Sequence, residues 1–360
     1  MYFPQLDSIR GMSFLAIFLY HAFTFSNTGY FLADFITYCY NNLPLAIDVF
    51  FILSSFLLTY LALNEYKKRN NFSFKNYFTR RILRIWPLYF FIMALAFLVF
   101  PLIARQFGTS LTLPNSLYYI FFIANFYTID HVFFLKFLWT ISVEEQFYLF
   151  WGASLKFLHK KLKIVITLLF LLSVFSSTYS IINGSSSYYS TITYLFDFAS
   201  GALAAIFMFS QSRLIEWIKN LSRAGTYAFY IYFIFHFILF YFLNAITKGI
   251  ASDFVSLLNR YLFIIYISLL IVEQMINNSR TMIFAKNRFL ILTGKLSYGL
   301  YCFHGITITF INLLVQHFKI NIASWLLMII YFLVNYLIAA VSYKYLELPF
   351  LKLKNRWRRI

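Results

Sequence analysis

Charged residues are scarce in this chain. Only 12% of its 360 residues are Asp, Glu, Lys or Arg, whereas about 25% is usual in soluble domains. Hydrophobic residues make up 61% and aromatic residues 23%. A soluble fold could not cover so much apolar side chain with so little polar surface. The composition excludes soluble, disordered, coiled-coil and collagen-like proteins, and predicts an all-α protein that crosses a membrane many times.

Cysteine, glycine and proline are also few. The two cysteines, Cys39 and Cys302, cannot form a disulfide framework and show no metal-ligand spacing, so no metal site is expected. With 11 Gly and 6 Pro, the chain shows no pair of broken helices and no clear inverted repeat, which are the usual signs of a secondary transporter.

Ten apolar segments approach the length of about 20 residues that a membrane-spanning helix needs. These are residues 12–31, 43–64, 83–103, 138–158, 164–182, 190–210, 225–244, 254–275, 295–316 and 323–346. A further apolar stretch, 115–128, is short and lies between Pro114 and Asp130. We therefore expect one polytopic domain over residues 1–350, a basic tail over 351–360, and no appended soluble domain.

Acidic residues are the scarcer charge, with 12 Asp and Glu against 30 Lys and Arg. Ten spans with both termini in the cytoplasm place 25 of those 30 basic residues inside, as the positive-inside rule requires. Counting 115–128 as a span would move the Lys160–Lys163 cluster outside. Residues 104–137 are therefore predicted to form an external excursion, either re-entrant or on the membrane surface. The basic excess indicates contact with membrane lipids and not with nucleic acid.

Arg10 and His21 lie eleven residues apart in the first predicted span. That spacing puts them about 20° apart around a helix and about 16 Å apart along it. Arg10 is then expected at the cytoplasmic rim and His21 near mid-depth, where an ionisable group usually indicates function. The alternative is a structural histidine that bonds to a neighbouring hydroxyl.

Two adjacent carboxylates, Glu144 and Glu145, interrupt the apolar fourth span. Glu145 is expected at a depth close to that of His21, where a carboxylate could orient the imidazole and raise its basicity. Glu144 could take that role instead, because neighbouring residues point about 100° apart on a helix. A structural alternative is that one carboxylate reaches water and the other pairs with a neighbour.

Arg81 and Arg84 share one face at the start of the third span. They could bind lipid headgroups, or they could hold a phosphate with their bidentate guanidinium groups. Arg10 is predicted on the same side of the membrane. Asp48, at the start of the second span, could polarise part of such a site or mark a helix start.

These segments resemble the membrane acyltransferase family 3, the O-acyltransferases that modify bacterial surface glycans. The matching elements are Leu6–Gly11 with His21, Asp48–Ser54, Arg81, Arg84 and Pro87, Trp139–Tyr148 with its Ser142-Val-Glu-Glu-Gln-Phe-Tyr run, Leu296–Tyr298 with Tyr301 and His304, and Glu347, Pro349 and Phe350. The Arg10–His21 spacing and the Ser142–Tyr148 run are specific in combination. The resemblance is strongest over about 1–150, while 160–290 match only as generic spans. Ser55 stands where the family has a glycine.

The resemblance implies a multi-pass enzyme of the bacterial cytoplasmic membrane that takes an acyl group, usually acetyl, from cytoplasmic acyl-CoA. The acceptor would be a hydroxyl of a surface polysaccharide, a lipid-linked glycan or a glycolipid, and no cofactor would be bound permanently. Some family members carry a further soluble, esterase-like domain after the membrane part.

The same resemblance gives roles to the residues named above. His21 would be the general base or an acyl relay, with Glu145 or Glu144 as its carboxylate. The phosphates of acyl-CoA would bind Arg10, Arg81 and Arg84. The supporting residues would be Asp48, Trp139, Ser142, Tyr298 and His304.

A transporter or flippase of a lipid-linked glycan is the alternative from another functional class. Histidine and carboxylate groups within a membrane also serve proton coupling. Binding of acyl-CoA distinguishes the two, because a flippase has no need of it.

Overall fold

The computed structural model describes residues 3–25, 31–108, 111–127, 133–210, 212–276 and 283–356. Within these ranges the chain is almost entirely helical and has no β-strand. The helices are α1 (Pro4–Ala22), α2 (Phe31–Asn41), α3 (Ala46–Arg69), α4 (Phe74–Ala94), α5 (Phe100–Gln106), α6 (Ser116–Ile120), α7 (Phe133–Lys136), α8 (Trp139–Phe157), α9 (Leu162–Ile182), α10 (Leu195–Phe209), α11 (Arg213–Lys219), α12 (Arg223–Ile246), α13 (Ile250–Ile276), α14 (Ile283–Lys286), α15 (Arg288–His317), α16 (Ser324–Ser342) and α17 (Leu348–Arg356).

The all-α membrane fold is confirmed. Eight helical runs among the described residues are long and apolar enough to cross a membrane. Two more helices, α1 and α8, occupy the other two predicted positions and have 19 residues each. They are not apolar enough to be counted with the eight, because they carry the charged motifs. Both are packed inside the bundle, α1 against α15 and α3, and α8 against α4 and α3.

The prediction for the first span was wrong in its limits. The helix runs from Pro4 to Ala22 and not over 12–31, of which residues 26–30 lie outside the described part. Hydropathy excluded the polar first turns of this helix from the predicted span, yet Gln5 and Ser8 are buried. The hydroxyl of Ser8 donates to the carbonyl of Phe284, so a neighbouring helix takes the place of water. Arg10 consequently lies in the second turn of α1 and His21 in its last turn.

The excursion over 104–137 contains no helix long enough to cross a membrane within its described residues, since α6 and α7 have five and four residues. The ring of Phe122 lies 4.6 Å from the ring of Tyr89 and 5.6 Å from that of Trp86. The amide of Gln146 donates to the carbonyl of Phe122 at 2.8 Å. Because Trp86 and Gln146 lie well inside α4 and α8, the excursion packs between these helices. Its re-entrant course in the membrane stays a prediction.

Close helix contacts bring the motif helices together. A side chain at Gly201 on α10 would collide with the carbonyl of Ile52 on α3, so only glycine permits this approach. Ser55, at the position where the family has a glycine, is fully buried and donates to the carbonyl of Phe198 on α10. The serine therefore bonds across the same contact and does not separate the two helices.

The bundle has two ends that differ in their side chains. Helices α1, α4 and α15 begin, and α3 ends, at what we call the basic end, which carries Arg80 and Lys295. Helices α3, α10 and α13 begin at the opposite end, which we call the far end. His21 lies toward the far end because α1 starts at the basic end and finishes with its last turn there.

Candidate active site

Three arginines converge on one inner cavity of about 80 Å³. Arg10 comes from α1, and Arg81 and Arg84 come from successive turns of α4. Arg10 is paired with Asp7 at 3.4 Å. Within the described part of the chain, Arg81 and Arg84 have no carboxylate within 4 Å. The predicted grouping is present, and its two unpaired guanidinium groups favour an anionic ligand.

A vestibule of about 340 Å³ leads to this cavity from the basic end. It shares all three arginines and Tyr298 with the inner cavity, so the two spaces are adjoining. Lys295 and Arg80 add positive charge to its wall, and Arg80 also pairs with Glu65 at 3.6 Å. An anion therefore meets positive charge from the basic end to the inner cavity.

Glu144 lines the inner cavity. Its carboxylate accepts a hydrogen bond from the hydroxyl of Ser54 at 2.7 Å, and Tyr148 donates to that hydroxyl at 3.0 Å. The guanidinium of Arg81 lies over the ring of Tyr148, 5.4 Å from its centroid. Glu144 is thus held in one orientation beside the arginines of the inner cavity.

Glu145 points away from that cavity. Its carboxylate accepts from the indole nitrogen of Trp86 at 3.2 Å, and its second oxygen has no partner among the described residues. The expected contact between Glu145 and His21 is therefore not formed. The rotation of α8 turns Glu145 toward α4, whereas His21 lies at the end of α1.

His21 lies beside a second histidine. The ring centroids of His21 and His304 are 5.5 Å apart, and Phe137 contacts both rings at 4.5 and 4.2 Å. Nδ1 of the buried His304 lies within hydrogen-bond distance of the carbonyl of Tyr301. Because a carbonyl only accepts, Nδ1 carries the hydrogen and Nε2 keeps a lone pair. That Nε2 has no partner within the described part of the chain.

A barrier layer formed by Phe137, Thr140 and Tyr301 separates the inner cavity from the two histidines. Thr140 and Tyr301 line the cavity, and their hydroxyls are 3.1 Å apart. Both hydroxyls donate to the carbonyl of Phe137, at 3.0 and 3.3 Å. The site therefore has an arginine side and an imidazole side, with one layer of side chains between them.

Comparison with known proteins identifies the family of the chain. The profile of the acyltransferase domain family matches residues 3–344, nearly the whole chain. The chain belongs to this acyltransferase family. No solved structure matches it.

The chain is similar to two named relatives that are longer than it is. It is 26% identical to the peptidoglycan O-acetyltransferase OatA of Listeria monocytogenes, over 98% of this chain and 56% of the relative. It is also 26% identical to the O-acetyltransferase OatA of Staphylococcus aureus, over 98% of this chain and 57% of the relative. The chain thus spans a little over half the length of these relatives.

Asp48 lies apart from the arginine cavity of this acyltransferase. Its two carboxylate oxygens accept from Arg260 of α13 at 3.1 and 3.2 Å. Arg260 also bonds to Asp197 of α10 at 2.6 Å. No role was predicted for Arg260 from the sequence, where it counts only as one of the five basic residues on the external side. A lone arginine on the side with few basic residues, opposite two buried aspartates, was the signal that could have predicted this cluster.

The other expected supporting residues have structural contacts. Tyr298 lines the inner cavity and donates to the carbonyl of Ile85 at 2.8 Å. Ser142 is fully buried and bonds to the carbonyl of Leu138 at 3.5 Å. Trp139 packs against Tyr194, with ring centroids 5.3 Å apart. Within the described ranges, no three His, Cys, Asp or Glu residues come together as a metal site.

Proposed function

We propose that this chain transfers an acyl group, namely acetyl, from acyl-CoA to a hydroxyl of a cell-surface glycan. The main support is the pair of arginines, Arg81 and Arg84, which have no carboxylate partner among the described residues and line a cavity adjoining the vestibule. The Listeria relative is named for peptidoglycan, which makes peptidoglycan the first acceptor to test. A lipid-linked glycan or a glycolipid has the same hydroxyl chemistry.

The donor enters from the basic end in this proposal. The excess of Lys and Arg makes that end cytoplasmic, which is where acyl-CoA is found, and the enzyme spans the cytoplasmic membrane of a bacterium. The CoA phosphates bind Arg10, Arg81 and Arg84, and the thioester end points toward the barrier layer. Because this layer separates the thioester from the histidines, transfer requires Phe137 to move when the donor is bound.

His21 acts as the general base on the acceptor hydroxyl. It removes the hydroxyl proton as the oxygen attacks the thioester carbon, the C–S bond breaks, and the CoA thiolate takes the proton from the imidazolium. In the relay version, a nitrogen of His21 attacks the thioester carbon first, the C–S bond breaks, and CoA leaves as its thiol with the proton of the imidazole. The acyl-imidazole then transfers the acyl group to the hydroxyl, whose proton returns to the imidazole. Acyl-enzyme formed from labelled acyl-CoA without acceptor distinguishes the relay from direct transfer.

The test uses inverted membrane vesicles that contain the native acceptor and receive radiolabelled acetyl-CoA. The parent should move label into alkali-labile glycan esters. His21→Ala should lower the rate by about 10²- to 10⁴-fold, the usual contribution of a general base. His317→Ala is the matched control, since His317 is exposed in the last turn of α15 and packs only on Phe107 and Phe318 among its described ring contacts.

Unchanged transfer in His21→Ala, at equal protein levels, would make His21 a structural histidine. Glycan export that needs no acetyl-CoA, with no ester formed by the parent, would favour the flippase alternative.

A further inference from the structure

A second cavity, at the far end of the bundle, has no role so far. This outer cavity, with a volume of about 680 Å³, is lined by the starts of α3 and α13, the end of α9 and the loop 183–190. Ligand pockets commonly measure about 300–1,000 Å³. It shares no lining residue with the inner cavity. The two cavities lie at different levels of α3, because Asp48 lines the outer cavity and Ser54 lines the inner cavity.

The charge of the outer cavity disfavours an anionic ligand. Its charged lining residues in the described chain are Asp48, Asp253 and Arg260. Arg260 is already held by Asp48 and by the fully buried Asp197. Its guanidinium carbon also lies 4.8 Å from the ring centroid of Tyr194. With the one cation neutralised and carboxylates in excess, the cavity suits a neutral ligand.

One buried polar atom of the outer cavity lacks a partner. The hydroxyl of Ser177, a lining residue that is only 3% exposed, has no hydrogen-bond partner among the described residues. Buried polar groups are nearly always satisfied, so this hydroxyl points to a hydrogen-bonding group of a ligand. Further hydroxyls line the same space at Ser180, Ser185, Ser186, Ser187 and Ser256.

Aromatic rings complete the wall. Tyr188 and Tyr194 line the cavity, and both pack against Trp139, with ring centroids 5.4 and 5.3 Å apart. Tyr188 is 43% exposed, so part of its ring is free for contact. Flat aromatic faces combined with many hydroxyl and amide groups fit a sugar, which has apolar C–H faces and a rim of hydroxyls.

We propose that the outer cavity binds sugar units of a neutral glycan, namely those that flank the reacting hydroxyl of the acceptor. This inference rests on the proposed function. The ring of Tyr20 lies 5.1 Å from that of His21 and 5.4 Å from that of Tyr40. Tyr40 directly precedes Asn41 and Asn42, which line the cavity. A glycan chain that leaves the cavity along these tyrosines therefore reaches the imidazole.

The experiment measures two quantities on the purified full chain in detergent. One is direct binding of a soluble, uncharged glycan fragment, an oligomer of N-acetylglucosamine, without donor. The other is the KM for that fragment and for acetyl-CoA during transfer. Ser177→Ala removes one unpartnered hydroxyl without changing shape, and Ser187→Trp fills the cavity at its partly exposed wall. Ser324→Trp is the matched control at the exposed start of α16, also at the far end.

We expect Ser177→Ala to raise the acceptor KM about three- to tenfold, as for a lost neutral hydrogen bond. Ser187→Trp should raise it by more than about tenfold and weaken direct binding equally, while the KM for acetyl-CoA stays constant. Ser324→Trp should change neither quantity.

The outcomes separate the two proposals. A parent that transfers acetyl groups, but binds the fragment equally well after Ser187→Trp, would overturn the glycan site and leave the proposed function standing. If the parent binds the fragment and Ser187→Trp does not, but the parent never consumes acetyl-CoA, the result would support the site and overturn the acyltransferase proposal. Equal effects of Ser187→Trp and Ser324→Trp would also overturn the site.

Discussion

The indole of Trp86 donates to the carboxylate of Glu145 at 3.2 Å, and this bond separates the environments of two adjacent acidic residues. Glu145 lies between α8 and α4, while Glu144 faces the inner cavity through its bond to Ser54. One residue step along a helix turns a side chain by about 100°. The two carboxylates therefore contact different helices and are expected to respond differently to substitution.

Replacing each carboxylate by its amide tests this difference. Glu145→Gln keeps an oxygen that can accept from Trp86, so transfer should stay within about twofold of the parent. Glu144→Gln weakens a charge-assisted bond to Ser54 beside the donor and should lower the transfer rate about tenfold, since such bonds contribute about 1.5–3 kcal/mol. Initial rates with saturating acetyl-CoA measure both. The reverse order of effects would restore Glu145 as the carboxylate of the reaction.

Arg81→Gln and Arg84→Gln test donor binding. Each removes a charged hydrogen bond to phosphate and should raise the KM for acetyl-CoA about 10- to 100-fold, with a smaller change in kcat. Titration with acetyl-CoA at low and high salt measures the effect, which should shrink as salt screens the charges. Arg223→Gln is the control, because Arg223 is exposed at the start of α12, also at the basic end. A KM that rises equally in all three variants would contradict the assignment.

Arg260→Met tests the cluster at the far end. The substitution leaves Asp48 and Asp197, both nearly fully buried, as uncompensated like charges. Removing one partner of a buried ion pair costs about 3–5 kcal/mol, so the thermal unfolding temperature in detergent should fall clearly. Lys248→Met removes a basic residue from the short link between α12 and α13 and should leave it unchanged. If Arg260→Met also melts like the parent, the two aspartates are protonated or solvated.

Hydropathy was sufficient for the all-α membrane fold, because apolar length is a local property of the sequence. The topology inferred from Lys and Arg stays a prediction. Hydropathy failed at Pro4–Ala22, where Gln5 and Ser8 are buried against other helices. A hydropathy reading assumes that such residues face water. Burial by a partner helix depends on packing, which a window of one sequence does not contain.

The arginine side of the site was predictable for a similar reason. Arg81 and Arg84 share a helix face because of their spacing alone. Arg10 was predicted beside them because the topology places it on the same side of the membrane. The contacts of Glu145 and Arg260 were not predictable, because they depend on how α8 and α13 are rotated about their axes. The pairing of His21 with His304 joins residues 283 positions apart in the chain, and no periodicity reports such a contact.

The barrier layer of Phe137, Thr140 and Tyr301 also bears on the energy supply of the cell. An open aqueous path from the vestibule to the far end would conduct protons and dissipate the gradient on which a bacterium depends. With the layer closed, the hydroxyls of Thr140 and Tyr301 are engaged with each other and with the backbone, so these side chains stand between the inner cavity and the histidines. In the proposed transfer, the acyl group would pass this layer without a permanently open path for protons.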